Sequence, residues 1–229
     1  MKNLIKSLAI CAAIGAAVNL NAQTVTVDPT QLTDGYMSWT PTANTLANWP
    51  GDGGYGSSGW GQSDLTAVWY GSVVELGPNV NTYAPGNAYW NNPDGSGANQ
   101  MDASTYAETI GVYESTTLTF TFDVLANTLN GPYTADGWIK DFAPGYNYLG
   151  GSYVNLTPGV DSVTYTTADN PGEIVQYGFE LIGPDTNPAT VAEYGVVDIG
   201  PAPIPEPSSL ALIGFGLLGV WRCRRGRAR

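Results

Sequence analysis

Along most of this chain hydrophobic and polar residues alternate singly, which is the period of a strand rather than of a helix. Residues 118–125, Leu-Thr-Phe-Thr-Phe-Asp-Val-Leu, place Leu118, Phe120, Phe122 and Val124 on one side and Thr119, Thr121 and Asp123 on the other. That alternation predicts a strand with one face in a core. Residues 174–182 repeat it, with Val175, Tyr177, Phe179 and Leu181 on the core side. Residues 163–167 and 194–199 read as shorter strands, and 65–76, 105–112 and 137–142 as three more. Turn signals separate them: Asn130-Gly131-Pro132, Ala135-Asp136-Gly137, Pro158-Gly159 and Asn170-Pro171-Gly172. No stretch between the chain's two ends keeps an apolar stripe at helical spacing. Closely spaced strands with turns between them predict an all-β fold, an antiparallel β-sandwich of jelly-roll type.

Both ends break this pattern. Lys2 and Lys6 precede an apolar run at residues 8–18, and small residues lead to Ala22. This is the layout of a secretory signal peptide cut after Ala22. At the other end Pro203, Pro205 and Pro207 hold Ile204 and Glu206 in extended backbone. Ser208 stands where a helix cap is wanted, and the uncharged run 210–221 predicts a short hydrophobic helix. Its 12 residues fall short of the roughly 20 that cross a bilayer core. Arg222, Arg224, Arg225, Arg227 and Arg229 follow as a basic stop that keeps this end on the cytoplasmic side.

A Pro-Glu-Pro motif, an apolar helix and a basic end, in that order, resemble the PEP-CTERM sorting signal of exported bacterial proteins. Ile204 stands where that signal usually has Val. The resemblance implies passage through the Sec translocon and an inner-membrane intermediate held by the C-terminal helix. An exosortase would then act at Pro205, Glu206 and Pro207, with delivery to the cell surface or extracellular matrix. An uncut single-span anchor is the other reading of the same residues. The chain thus divides into a signal peptide (1–22), a body (23–200) and a sorting tail (201–229). Tails of this kind also carry an ice-binding label. In this body Thr117, Thr119 and Thr121 make one short row rather than a regular array, so ice binding is not expected.

Charge sharpens the reading of the body. Of the chain's eight Lys and Arg only Lys140 lies between residues 23 and 200, against 19 Asp and Glu. Such a surface repels phosphate backbones and anionic headgroups, which argues against nucleic acid and peripheral membrane partners. Cys11 and Cys223 both fall outside the body, so it has no internal disulfide and must rely on a hydrophobic core.

The chain has no histidine. That removes the commonest general base, the usual zinc ligands and any Ser-His-Asp or Cys-His nucleophile. Two-carboxylate chemistry of the glycosidase kind remains open, but no pair among Glu75, Glu108, Glu114, Glu173, Glu180 and Glu193 stands out. A non-catalytic body is expected, with no cofactor. The Gly-rich segment 51–61 lacks the Gly-Lys-Ser/Thr ending of a phosphate loop and reads as a loop carrying Tyr55 and Trp60.

The strand order of residues 100–200 resembles the galactose-binding-like jelly rolls of carbohydrate-binding modules. It runs from Tyr106 to Tyr113, through strands at 118–125, 138–142 and 175–182, to a last strand ending near Asp198. The resemblance implies a structural calcium near the terminal strand, with Asp28 or Asp34 and Asp198 as candidate ligands. Loop aromatics point the same way. Trp49, Trp60 and Trp90 lie among Gly, Pro and Asn, and Trp90-Asn91-Asn92-Pro93-Asp94 sets polar groups beside a ring. Flat indoles stack on the apolar faces of sugar rings while amides and carboxylates take the hydroxyls. Trp49, Trp60, Trp90, Asn91 and Asp94 are therefore the candidate ligand contacts, with extracellular polysaccharide as the candidate partner. Two alternatives stay open: a structural or adhesive matrix protein with no defined ligand, and a carboxylate-dependent glycan-active enzyme.

Overall fold

The computed structural model describes residues 21–41 and 56–203. The strands among them are β1 (Asn21–Thr26), β2 (Asp34–Pro41), β3 (Gly56–Gly59), β4 (Ala67–Tyr70), β5 (Val73–Leu76) and β6 (Asn99–Ile110), then β7 (Thr116–Asn127), β8 (Thr134–Ala143), β9 (Asn147–Asn155), β10 (Gly159–Thr166), β11 (Ile174–Pro184) and β12 (Val197–Pro201). They form two six-stranded sheets. The β11 sheet runs β3-β2-β6-β11-β8-β9 and is antiparallel throughout. In the β7 sheet, β10 pairs along one edge of β7. β1 and β12 share the other edge, β1 beside residues 116–121 and β12 beside 122–127. β5 and β4 continue outward from β12. β1 lies parallel to β7 and the remaining pairs of this sheet are antiparallel.

The expected alternation builds the core. Leu118, Phe120, Phe122 and Val124 of β7 face Val175, Tyr177, Phe179 and Leu181 of β11, and all eight are buried. The Phe120 ring centroid lies 5.2 Å from those of Tyr177 and Phe179, in tilted packing that suits aromatic quadrupoles. Burying side chains of this size stabilises the fold by roughly 1.5–3 kcal/mol each.

Several elements differ from the sequence reading. Residues 65–76 are not one strand: they end a 3-10 turn (Gln62–Leu65) and form the β4–β5 hairpin, which turns at Gly71 with φ +66°. The Ala135-Asp136-Gly137 turn signal lies inside β8, because the Phe122 ring fills the space where a Cβ at 137 would sit, 2.7 Å from its Cζ. The strand read at 194–199 starts at Val197, after a 3-10 turn (Val191–Tyr194). Gly56–Gly59, read as loop, is edge strand β3, paired with residues 36–39 of β2. β1, β2 and β9 were not expected from the pattern.

Register also widens the threonine row into an array. Thr24 and Thr26 of β1 pair with Thr119 and Thr121, and Thr164 and Thr166 of β10 pair with Thr119 and Thr117. The hydroxyls of Thr117 and Thr166, and of Thr119 and Thr164, bond each other at 3.0 Å.

Among the described residues no helix is long and apolar enough to cross a membrane. The expected helix 210–221 lies outside those residues, as do Trp49 and almost all of the expected signal peptide. β1 already begins at Asn21, two residues before the start expected for the body, and β12 ends at Pro201.

Candidate functional site

The outward face of β11 carries the most concentrated chemistry. With Val175, Tyr177 and Phe179 turned into the core, Gln176, Gly178 and Glu180 look outward, yet all three are buried. Register shows what covers them. Gln176 lies between Glu108 of β6 and Lys140 of β8, Gly178 between Tyr106 and Trp138, and Glu180 between Ser104 and Asp136. Gly178 makes the arrangement possible. A Cβ there would collide with the Thr105 carbonyl and come within 2.6 Å of the Tyr106 Cα. The rings of Tyr106 and Trp138 close over the gap with centroids 5.8 Å apart.

The result is an open groove of about 520 Å³ lined by Tyr36, Tyr106, Trp138, Phe142 and Tyr146, with Ser104, Lys140 and Gln176 as polar groups. That volume lies within the ~300–1,000 Å³ usual for ligand pockets. Tyr146, 57% exposed, projects from the β8–β9 turn in the left-handed region at φ +64°. Non-glycine residues seldom adopt that backbone and hold it where surroundings impose it. Here the Tyr146 hydroxyl donates to Glu108 Oε1 at 3.0 Å, and its ring packs edge-on against Phe142. Gln176 Nε2 donates to the other Glu108 oxygen at 2.7 Å. Lys140 Nζ contacts Glu180 at 2.9 Å and lies 3.9 Å above the Trp138 ring. The Trp138 indole N–H is buried without an acceptor.

Electrostatically the face is acidic. Asp34, Asp102, Glu108, Asp136 and Glu180 share it with the single ammonium of Lys140. Burial and the Glu108 charge push Asp34 up, and burial and Glu180 push Asp136 up. Burial, then the charge of Glu180, pushes Asp102 up to about 7. Burial and Glu108 push the Tyr106 hydroxyl up to about 12, so it stays a hydrogen-bond donor at neutral pH.

The sequence-derived candidates lie elsewhere. Trp60 and Trp90 come together with Trp39, at centroid distances of 6.4 and 5.6 Å from it, and pack on Met37, Leu65, Met101 and Ala103 at one end of the sandwich. Each ring keeps partial exposure there. Asn91 is buried, accepting from the Ala84 N–H at 2.7 Å and reaching Asp185 Oδ2 at 3.5 Å. Asp94 closes its own turn by accepting from the N–H and hydroxyl of Ser96, which hold its carboxyl below the usual range. Asp28 does the same with Thr30. Asp198 sits on β12 opposite Glu75 and Ala126, and Asp34 opens β2 beside Tyr106. Among the described residues no metal-holding group of acids forms, so Asp28, Asp34 and Asp198 do not make the expected calcium site. Trp49, Pro205, Glu206, Pro207, Arg222, Arg224 and Arg225 lie outside the described residues.

The groove residues escaped a reading centred on loops. The usable signal was Trp138, Lys140 and Phe142 at alternate positions of one strand, holding the body's sole cation between two aromatics.

Residues 203–225 match the PEP-CTERM protein-sorting motif. No curated protein and no solved structure matches the chain, so the likeness of its body to galactose-binding-like jelly rolls rests on strand pattern alone. The chain carries the sorting motif of bacterial proteins that are exported and processed by an exosortase.

Proposed function

We propose that this protein is delivered to the cell surface or extracellular matrix, where its β-sandwich binds a neutral polysaccharide without acting on it. The observation that carries this reading is the aromatic groove over Gly178. Tyr36 and Tyr146 are exposed rings on which sugar faces can stack, and Gln176, Ser104 and Lys140 supply donors between them. Five carboxylates around one ammonium oppose uronate and sulfate groups, which selects for uncharged sugars. The non-catalytic reading rests on the absence of histidine and on the position of Asp102. That carboxyl, poised near neutrality, is not among the residues that line the groove. The tail supports transit through the Sec translocon and a membrane-held intermediate before processing at Pro205-Glu206-Pro207.

Gel retardation of the exported protein through neutral and polyuronate polysaccharides tests this. The wild type is expected to be slowed by at least one neutral polymer and not by polyuronates. Tyr146→Ala and Tyr36→Ala should each weaken binding about tenfold, the loss of one stacked ring. Retardation that survives both changes but disappears with Trp60→Ala or Trp90→Ala would move the site to the end of the sandwich. No retardation by any polymer would leave a structural matrix protein as the better account.

A further inference from the structure

Where β8 ends and β11 begins, two carboxyl groups are shut inside the protein. Asp141 and Glu173 both have 0% exposure. Asp141 Oδ2 accepts from the Ala168 N–H at 2.9 Å, which ties the β10–β11 loop to β8. The Glu173 N–H closes the Asn170-Pro171-Gly172 turn on the Asn170 carbonyl at 2.9 Å. Three oxygens remain without any hydrogen-bond donor: Asp141 Oδ1 and both of Glu173. The Thr167 hydroxyl lies beside Glu173 but donates to the carbonyls of Tyr113 and Thr116. Glu114 brings a third negative charge, with one oxygen held by the Gly172 N–H at 2.8 Å.

No side chain offsets this charge. Lys140 is the sole cation of residues 23–200 and is bound to Glu180 on the outer face. Burying an unpaired carboxylate costs several kcal/mol, so such groups are protonated or coordinate a metal. Burial and the charge of Asp141 do push Glu173 up to about 7. A proton shared between the two carboxyls is not enough, however. One O–H···O bond satisfies two of the three orphan oxygens, leaving the third unpartnered and a net charge behind. A divalent cation between the two carboxyls would offset both charges and can take oxygens of each as ligands.

We propose that Asp141 and Glu173 form a buried calcium site that fastens the β10–β11 loop to the end of β8. Among the described residues no group of three or more His, Cys, Asp or Glu side chains is arranged to hold a metal. Main-chain carbonyls and water must therefore complete the shell. Calcium accepts that donor set, taking ~6–8 oxygens in a flexible geometry and binding extracellular modules at ~10⁻⁴–10⁻³ M. The site differs in position from Asp28, which follows β1, and from Asp198, which lies on β12.

The test is thermal unfolding of the exported protein at neutral pH, in chelator and in excess calcium, for wild type and Glu173→Gln, with magnesium at equal ionic strength as control. Saturating calcium should raise the wild-type midpoint by about 5–10 °C, and magnesium by much less. Glu173→Gln, which removes a buried charge, should be the more stable protein in chelator and the less stable one in calcium. Calorimetric titration of the chelated wild type should show one bound calcium with a Kd of about 10⁻⁴–10⁻³ M, lost in Asp141→Asn, which serves if the Gln variant fails to fold. Equal calcium shifts in wild type and Glu173→Gln would mean screening of surface charge and overturn the proposal. No shift in the wild type would overturn it in favour of a shared proton.

Discussion

Asp102 sits on the outward face of β6, beside Glu180 and Ser104, with one oxygen buried and unpartnered. Burial and then Glu180 raise its carboxyl to about 7, while Lys140 and Ser104 pull the other way. An acid whose folded pKa exceeds its unfolded value of ~3.9 favours folding fully below that value, and the contribution is lost as pH rises through about 7. In chelator, the unfolding midpoint should therefore drop by several degrees between about pH 5 and pH 8. Asp102→Asn should flatten that slope and leave the variant more stable than wild type at the alkaline end. Glu173, also raised to about 7, adds to the slope in both proteins, so a slope equal to or steeper than wild type would show that Asp102 does not contribute. At this scale the sequence was least informative about surroundings. Trp60 and Trp90 sit in Gly- and Asn-rich segments that suggest display, yet Trp39, Met37 and Met101 give them a surface to land on. Those partners come from β2 and β6, distant in sequence, so no local pattern announces them.

Strand β11 is the element on which both faces of the β11 sheet depend. One face holds Val175, Tyr177, Phe179 and Leu181 in the core, and the other supports the groove across Gly178. Adding a methyl there forces backbone apart, since its nearest neighbours are the Thr105 carbonyl and the Tyr106 Cα rather than a side-chain tip. Gly178→Ala should cost about 1–3 kcal/mol or more in denaturant unfolding and also weaken polysaccharide retardation, because Tyr106 must move from Trp138. An unchanged midpoint together with unchanged binding would refute the role given to this glycine.

The legible elements were those whose hydrophobic and polar residues alternate: β7 and β11 stand where alternation placed them. β9 and β3 were not, since Gly150, Gly151 and the Gly56–Gly59 segment carry almost no hydrophobic signal and are fixed by pairing with β8 and β2. Residues 65–76 looked like one strand because the break at Gly71 falls between two apolar runs. The groove was half legible. Alternation turned Gln176, Gly178 and Glu180 away from the core, but only register puts Tyr106 and Trp138 over them.

For the whole molecule, the separation of charge matters most. Five arginines close the tail, and residues 23–200 hold one lysine and 19 acids. Self-repulsion on this scale suits the proposed delivery outside the cell and would discourage contact with an anionic membrane after the proposed processing of the tail. The proposed groove and calcium site both presuppose that destination, where polysaccharide and calcium are at hand. Delivery is therefore the claim on which the others rest. It is tested most directly by the intact mass of the exported protein, from a host with the cognate exosortase and from a matched strain without it. A product whose C-terminus lies near Pro205–Pro207 only when the enzyme is present is the predicted result. A product still ending at Arg229 in both strains would contradict it, leaving a membrane-anchored sandwich that is never released from the sorting step.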